Sequence, residues 1–146
     1  MTNKVRVLPV VVCEVAHFML GAGWFTALSV PWLAGTGKTM EQLQQQGSTA
    51  VAYSTAFVAS LAMAYVLARV IATGAPSLAA GIGWGLTLGI GVALAAMVTE
   101  MIFEAKPLFF MLITAGYPVV GMTLMGLILG AWKSKKATAG GVTTGA

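Results

Sequence analysis

The fold class predicted by the sequence is an all-α polytopic membrane protein: four transmembrane helices in an antiparallel bundle, with a short amphipathic helix in the first outer loop. Three observations predict it. Of 146 residues, 58% are hydrophobic and only 8% charged, whereas a soluble domain carries about 25% charged residues to face water. Mean hydropathy is +0.89. Four apolar runs each reach the roughly 20 residues that a helix needs to cross hydrocarbon, and Lys and Arg gather at their ends.

The first run covers about residues 7–32 and follows the basic start MTNKVR. Pro9 falls in its first turn, where a missing N–H costs nothing. Pro31 is expected to close it. The run outlasts a signal peptide, and Glu14 and His17 interrupt it, so it reads as a span and not as a cleaved leader. The following loop contains AGTGKT, residues 34–39. A phosphate-binding loop would need glycine five residues before Gly37, where Trp32 stands, and a preceding strand. Thr39 instead reads as a helix cap, with Gln42 as its capping-box partner, so a short helix is expected from Met40 to Gln46.

The remaining spans fall at about 49–73, 76–103 and 107–132, with Pro76 and Pro107 in first turns. Residues 1–136 form one domain, and the small, polar residues 137–146 read as a disordered tail. Lys4, Arg6, Arg69, Lys133, Lys135 and Lys136 fall on one side of the membrane, and Lys38 and Lys106 on the other. The Lys/Arg bias places both termini in the cytoplasm. Trp24 and Trp32 suit the outer interface, and Trp132 the inner one. The net charge of +4 does not imply nucleic-acid binding, because the basic residues cap apolar segments and form no patch. The lipid bilayer is the implied partner.

Lipid supplies no hydrophobic drive for helix association, so close backbone contact must. The second span carries Ala52, Ala56, Ser60, Ala64, Ala68 and Ala72 at spacing four; the third carries Gly81, Gly85, Gly89 and Ala93. These two stripes are expected to meet. Gly126 and Gly130 form another close-approach site, for packing within the chain or for a homodimer. Pro118 in the fourth span displaces the hydrogen bond to the Thr114 carbonyl, and a kink eased by Gly116 is expected.

Glu14 and His17 lie three apart and share a helix face. Tyr65 and Arg69 share a face of the second span, and Tyr117 sits near mid-depth of the fourth. These five are expected to form one buried polar cluster. An acid at membrane depth costs about 3 kcal/mol on insertion scales, which makes Glu14 the leading candidate for a site. It has three readings. It pairs with Arg69 structurally, or it exchanges protons or cations on a transport path, or it supplies half of a Glu-x-x-His metal site. The last needs more carboxylates at that depth, so no metal or cofactor is assigned.

Glu100, Glu104 and Lys106 belong elsewhere, at the outer turn FEAKP. Glu104 or Glu100 is expected to take Lys106 as partner. The single Cys13 excludes an internal disulfide and reads as a small packed residue. No Ser/His/Asp or Cys/His arrangement is visible, and the chain is not expected to be an enzyme.

The run Phe103-Glu104-x-Lys106, then FFMLITAGYP, then Met125-Gly126-x-Ile128-Leu129-Gly130-x-Trp132 resembles the bacterial membrane family labelled domain of unknown function 1761. Gly23-Trp24-Phe25 and AYSTAFVASLAMAYVLA fit it too, so the resemblance covers most of residues 20–132. It implies a small four-helix protein of the bacterial cytoplasmic membrane and no established activity. Glu100 stands where the resemblance implies an amide, and Glu14 and His17 stand in a span it implies to be apolar. CEVAH around Glu14 is also similar to the first helix of small multidrug-resistance exporters, which are dimeric four-helix proteins. That likeness implies a Glu14 that exchanges protons for a cationic drug, with Tyr65 and Trp84 as wall residues. The longer outer loop and FEAKP depart from it. The expected role is small-molecule or ion handling, or non-catalytic support of a larger membrane complex.

Overall fold

The computed structural model describes residues 7–140, with side chains through residue 132. Lys4 and Arg6 lie outside the described residues, as do the side chains of Lys133, Lys135 and Lys136. The described chain is helical throughout, apart from short connections. The helices are α1 (Val7–Ala27), α2 (Ser29–Thr36), α3 (Met40–Gln45), α4 (Thr49–Ile71), α5 (Leu78–Phe103) and α6 (Leu108–Gly140). Four stretches are long and apolar enough to cross a membrane: Val7–Ala27, Thr49–Ile71, Leu78–Phe103 and Leu108–Trp132. The protein is a multi-pass membrane protein.

Pro31 does not close the first span. The chain breaks at Leu28, and Pro31 becomes the third residue of α2. The reason is steric: proline cannot bond the carbonyl four residues back, which is that of Ala27, so the helix ends there and restarts with Pro31 in a first turn. Gly37 then ends α2 in the left-handed region, at φ 70°, where glycine meets no Cβ penalty. The expected capping box is present. The Gln42 N–H donates to Thr39 Oγ1 at 3.2 Å, and the Thr39 N–H donates to Gln42 Oε1 at 2.9 Å.

The third and fourth spans pack most extensively, and this corrects the expected pairing of glycine stripe with alanine stripe. A Cβ on Gly81 would overlap the Gly126 carbonyl, and one on Gly85 would overlap that of Met122. One on Gly89 would come within 3.0 Å of the Val119 backbone. Partners descend along α6 as residues ascend along α5, so the pair is antiparallel. Glycine faces glycine because two surfaces lacking Cβ approach more closely than glycine and alanine can. Ser60, Ala64 and Ala68 on α4 turn instead toward α1 and α6, where Ala64 and Ala68 join Val10, Cys13, Leu67, Ile71, Met125 and Leu129 in an apolar core.

Three further features lay beyond the sequence reading. Gly89–Leu94 winds as a π-helix inside α5. The turn after α5 is a Schellman motif: Lys106 N–H donates to Met101 O at 3.0 Å and Ala105 N–H to Ile102 O at 3.1 Å, with Ala105 at φ 53°. And α6 continues to Gly140, into the segment read as disordered. The good helix formers Lys and Ala carry it there, with no glycine or proline between Trp132 and Gly140. Residues 141–146 lie outside the described residues. At Pro118, α6 remains helical, and the Trp24 indole donates to the Ile113 carbonyl at 3.0 Å, one residue before the carbonyl that Pro118 leaves free.

Candidate functional site at mid-membrane

Glu14 lies about 10 Å along α1 and His17 about 15 Å, near the middle of a 21-residue helix. Both face inward. Glu14 is 1% exposed, His17 4% and Ser60 of α4 7%. The Ser60 hydroxyl donates to Glu14 Oε1 at 2.5 Å. It also lies 2.9 Å from the Ala56 carbonyl of its own helix. Glu14 Oε2 has no partner among the described residues.

His17 is built the same way. Tyr117 Oη lies 2.8 Å from Nε2 and 3.2 Å from the His17 backbone carbonyl. Nδ1 has no partner. The imidazole lies against Gly121 of α6, where any Cβ would overlap Nδ1 and Cε1. Gly21 plays the same part for Tyr117, since a Cβ there would come 2.7 Å from the hydroxyl. Cys13 donates weakly to the Met125 carbonyl at 3.5 Å and is buried, as a packed structural residue would be.

Of the five residues expected to cluster, the structure brings Glu14, His17 and Tyr117 to one region and leaves out Tyr65 and Arg69. Tyr65 is 51% exposed, Arg69 is exposed, and Arg69 makes no ion pair with Glu14. The buried face of α4 is Ser60, Ala64, Leu67, Ala68 and Ile71. Residues 65 and 69 point roughly 115° and 155° away from its centre. Ser60 takes the place beside the acid. Its spacing marked it only as a small residue of a packing stripe; the available signal was that it is the one hydroxyl in that stripe. Trp84, expected as a wall residue on the exporter likeness, is also exposed.

The site has an apolar seal on one side and aromatic rings on the other. The core around Val10, Ile71 and Leu129 closes the end nearer the start of α1. Toward the other end, Tyr117 meets Phe25 at 5.3 Å, Phe25 meets Trp32 at 5.8 Å, and Trp32 stacks on Phe110 at 6.4 Å between centroids. Among the described residues, no group of three or more His, Cys, Asp or Glu side chains is arranged to hold a metal ion.

A family model described as "Protein of unknown function (DUF1761)" matches residues 8–130. The chain belongs to that family. The match spans the four membrane helices of this DUF1761 protein and includes Glu14, His17, Ser60 and Tyr117. No curated protein and no solved structure matches the chain.

At the turn joining α5 to α6, Glu104 takes Lys106 at 3.9 Å, and the Lys106 ammonium lies 5.5 Å over the Phe110 ring. Glu100 has no ionic partner among the described residues.

Proposed function

We infer that this DUF1761 protein is a small membrane carrier that takes up and releases a proton, or an ion or small molecule in exchange for one, at Glu14. One observation carries the reading. Glu14 and His17 each face a hydroxyl that has a backbone carbonyl as its alternative acceptor. A hydroxyl has one proton to donate and rotates to suit its neighbours. Ser60 can therefore donate to an ionised Glu14, or accept from a protonated Glu14 while donating to Ala56. Tyr117 can donate to Nε2, or donate to the His17 carbonyl while accepting from an Nε2–H. Both protonation states are accommodated without moving a helix. A structural acid would instead be neutralised by a fixed cation, and the cation available on α4, Arg69, is turned away.

The carrier works in the cytoplasmic membrane of a bacterium, with both termini cytoplasmic, and is not an enzyme. The test is proton flux in proteoliposomes, with a pH-sensitive dye inside and a pH step outside. Native protein is expected to collapse the gradient faster than empty vesicles, and Glu14→Gln is not. Glu14→Gln should also match or exceed native stability in detergent, since the acid is held at a cost. A native flux no faster than empty vesicles, with Glu14→Gln several kcal/mol less stable, would make Glu14 a structural group. The role would then pass to non-catalytic support of a larger complex.

A further inference from the structure

The end of the molecule that carries α3 holds a second constellation, independent of Glu14. A cavity of about 310 Å³ lies between α2 and the turn joining α5 to α6, and it is lined by Trp32, Phe110, Lys38, Glu100, Glu104 and Lys106 among others. Its size is at the lower end of the range for small-ligand sites. Gly35 lets α2 lie directly on Phe110, one wall of the cavity; a Cβ there would come 2.5 Å from the ring.

The charges of the cavity are balanced but not all used. Glu104 and Lys106 face each other at 3.9 Å. Glu100 has no ionic partner among the described residues, and the Lys38 ammonium meets only the neutral amide oxygen of Gln46, at 2.9 Å. One acid and one base therefore remain without an ionic partner among the described residues, in a cavity that Trp32 also lines. A simple anion entering would meet two carboxylates, and a simple cation two ammonium groups. A molecule carrying both charges meets neither penalty. An ammonium is further drawn to an aromatic face, as the Lys106 ammonium over Phe110 already shows. The cavity adjoins the last turn of a membrane span, at the depth where headgroups lie. The zwitterion most concentrated there is the ammonium–phosphate headgroup. Phe103 and Leu108, which flank the turn, are both exposed apolar surface on which acyl chains can lie.

We propose that this cavity binds an ammonium–phosphate zwitterion, with Glu100 and Trp32 holding the ammonium and Lys38 the phosphate. The test follows the thermal stability of the full chain in detergent as ligand is added. The probes are a phospholipid with an ethanolamine headgroup, one with a glycerol headgroup and the same acyl chains, and free phosphoethanolamine. The ethanolamine lipid should raise Tm saturably and the glycerol lipid should not. Half-saturation should move to about tenfold higher concentration in Glu100→Gln and, separately, in Lys38→Gln, since each loses one charge-assisted contact. Both side chains are exposed, so Tm without ligand should stay at the native value; if one variant loses stability, the other carries the test. A Tm rise with phosphoethanolamine as well assigns the site to a free solute, and a rise with the ethanolamine lipid alone assigns it to the bilayer. Equal shifts from the two lipids, no shift from any probe, or variants that saturate like native would overturn the proposal.

Discussion

Ser60 of the second span donates a 2.5 Å hydrogen bond to Glu14 of the first, and both side chains are almost entirely shut off from the surroundings. The bond ties two helices together at the depth where an unmet polar atom is most costly. It also leaves Glu14 Oε2 without a partner among the described residues.

Removing that hydroxyl should be felt directly. Ser60→Ala is expected to destabilise the protein by about 1–3 kcal/mol, the range for leaving a buried polar group without its partner. In a Glu14→Gln background the same change should cost clearly less. A double-mutant cycle on detergent-solubilised protein measures the difference. Equal costs in the two backgrounds would show that the bond contributes nothing beyond packing.

The α5–α6 contact gives a matched pair of substitutions. Gly81→Ala places a methyl against the Gly126 carbonyl, and backbone cannot rotate away as a side chain can. A loss of about 1–3 kcal/mol is expected, as for overpacking. Gly83→Ala, two residues on, meets nothing within 4 Å and should gain up to about 1 kcal/mol from helix propensity. Opposite signs in a thermal melt would establish the register of the two helices.

Ala105 adopts φ 53° in the turn before Lys106, a conformation that costs an L-residue about 1–2 kcal/mol. Ala105→Gly relieves that strain but loosens the unfolded chain. A net gain of about 0.5–1 kcal/mol is expected, read as a rise in Tm. No gain would mean that the turn relaxes its backbone at no cost.

Gly121→Ala tests the seat of the imidazole. The added methyl overlaps His17 Nδ1 and Cε1, so the ring must leave Tyr117 or α1 must shift. A loss of about 1–3 kcal/mol is expected, together with slower proton flux. Tyr117→Phe should slow flux too, while it keeps the ring against Phe25. If Gly121→Ala leaves flux untouched, His17 is not on the proton path.

What the sequence disclosed follows the range of each signal. Span positions depend on composition over about 20 residues, and all four were legible. The Thr39–Gln42 box is a contact across one turn, and it too was legible. The shared face of Glu14 and His17 needs only helix geometry. The rotation of a helix about its own axis is different. In a soluble helix the polar side reveals it, but α4 is apolar nearly all round, so the residues that face inward were open. Helix spacing alone puts Tyr65 and Arg69 on a face that could equally turn inward, and it marks Ser60 only as a small packing residue. Which glycine stripe meets which is likewise a question of tertiary fit. The break at Leu28 was readable in principle from Pro31 and its missing bond to Ala27. The left-handed Ala105 carried no such mark, because glycine is the residue that usually signals that conformation.

The π turn at Gly89–Leu94 acts as a phase correction. It fits an extra residue into α5 while both ends of the helix stay in place. Before it, Gly81, Gly85 and Gly89 face α6; after it, Met101 is the buried residue and Glu100 is exposed. A uniform 100° step carried forward from Gly89 would bring residue 100, not 101, close to the inner face. The wide turn therefore keeps an acid out of the packed interior and presents it at the rim. Deleting Gly91, where even an added Cβ would meet nothing within 4 Å, would remove that extra residue and leave a regular helix. The last two turns of α5 would keep their facing, with Met101 inward and Glu100 at the rim, whereas a regular helix through all the present residues would exchange the surroundings of the two.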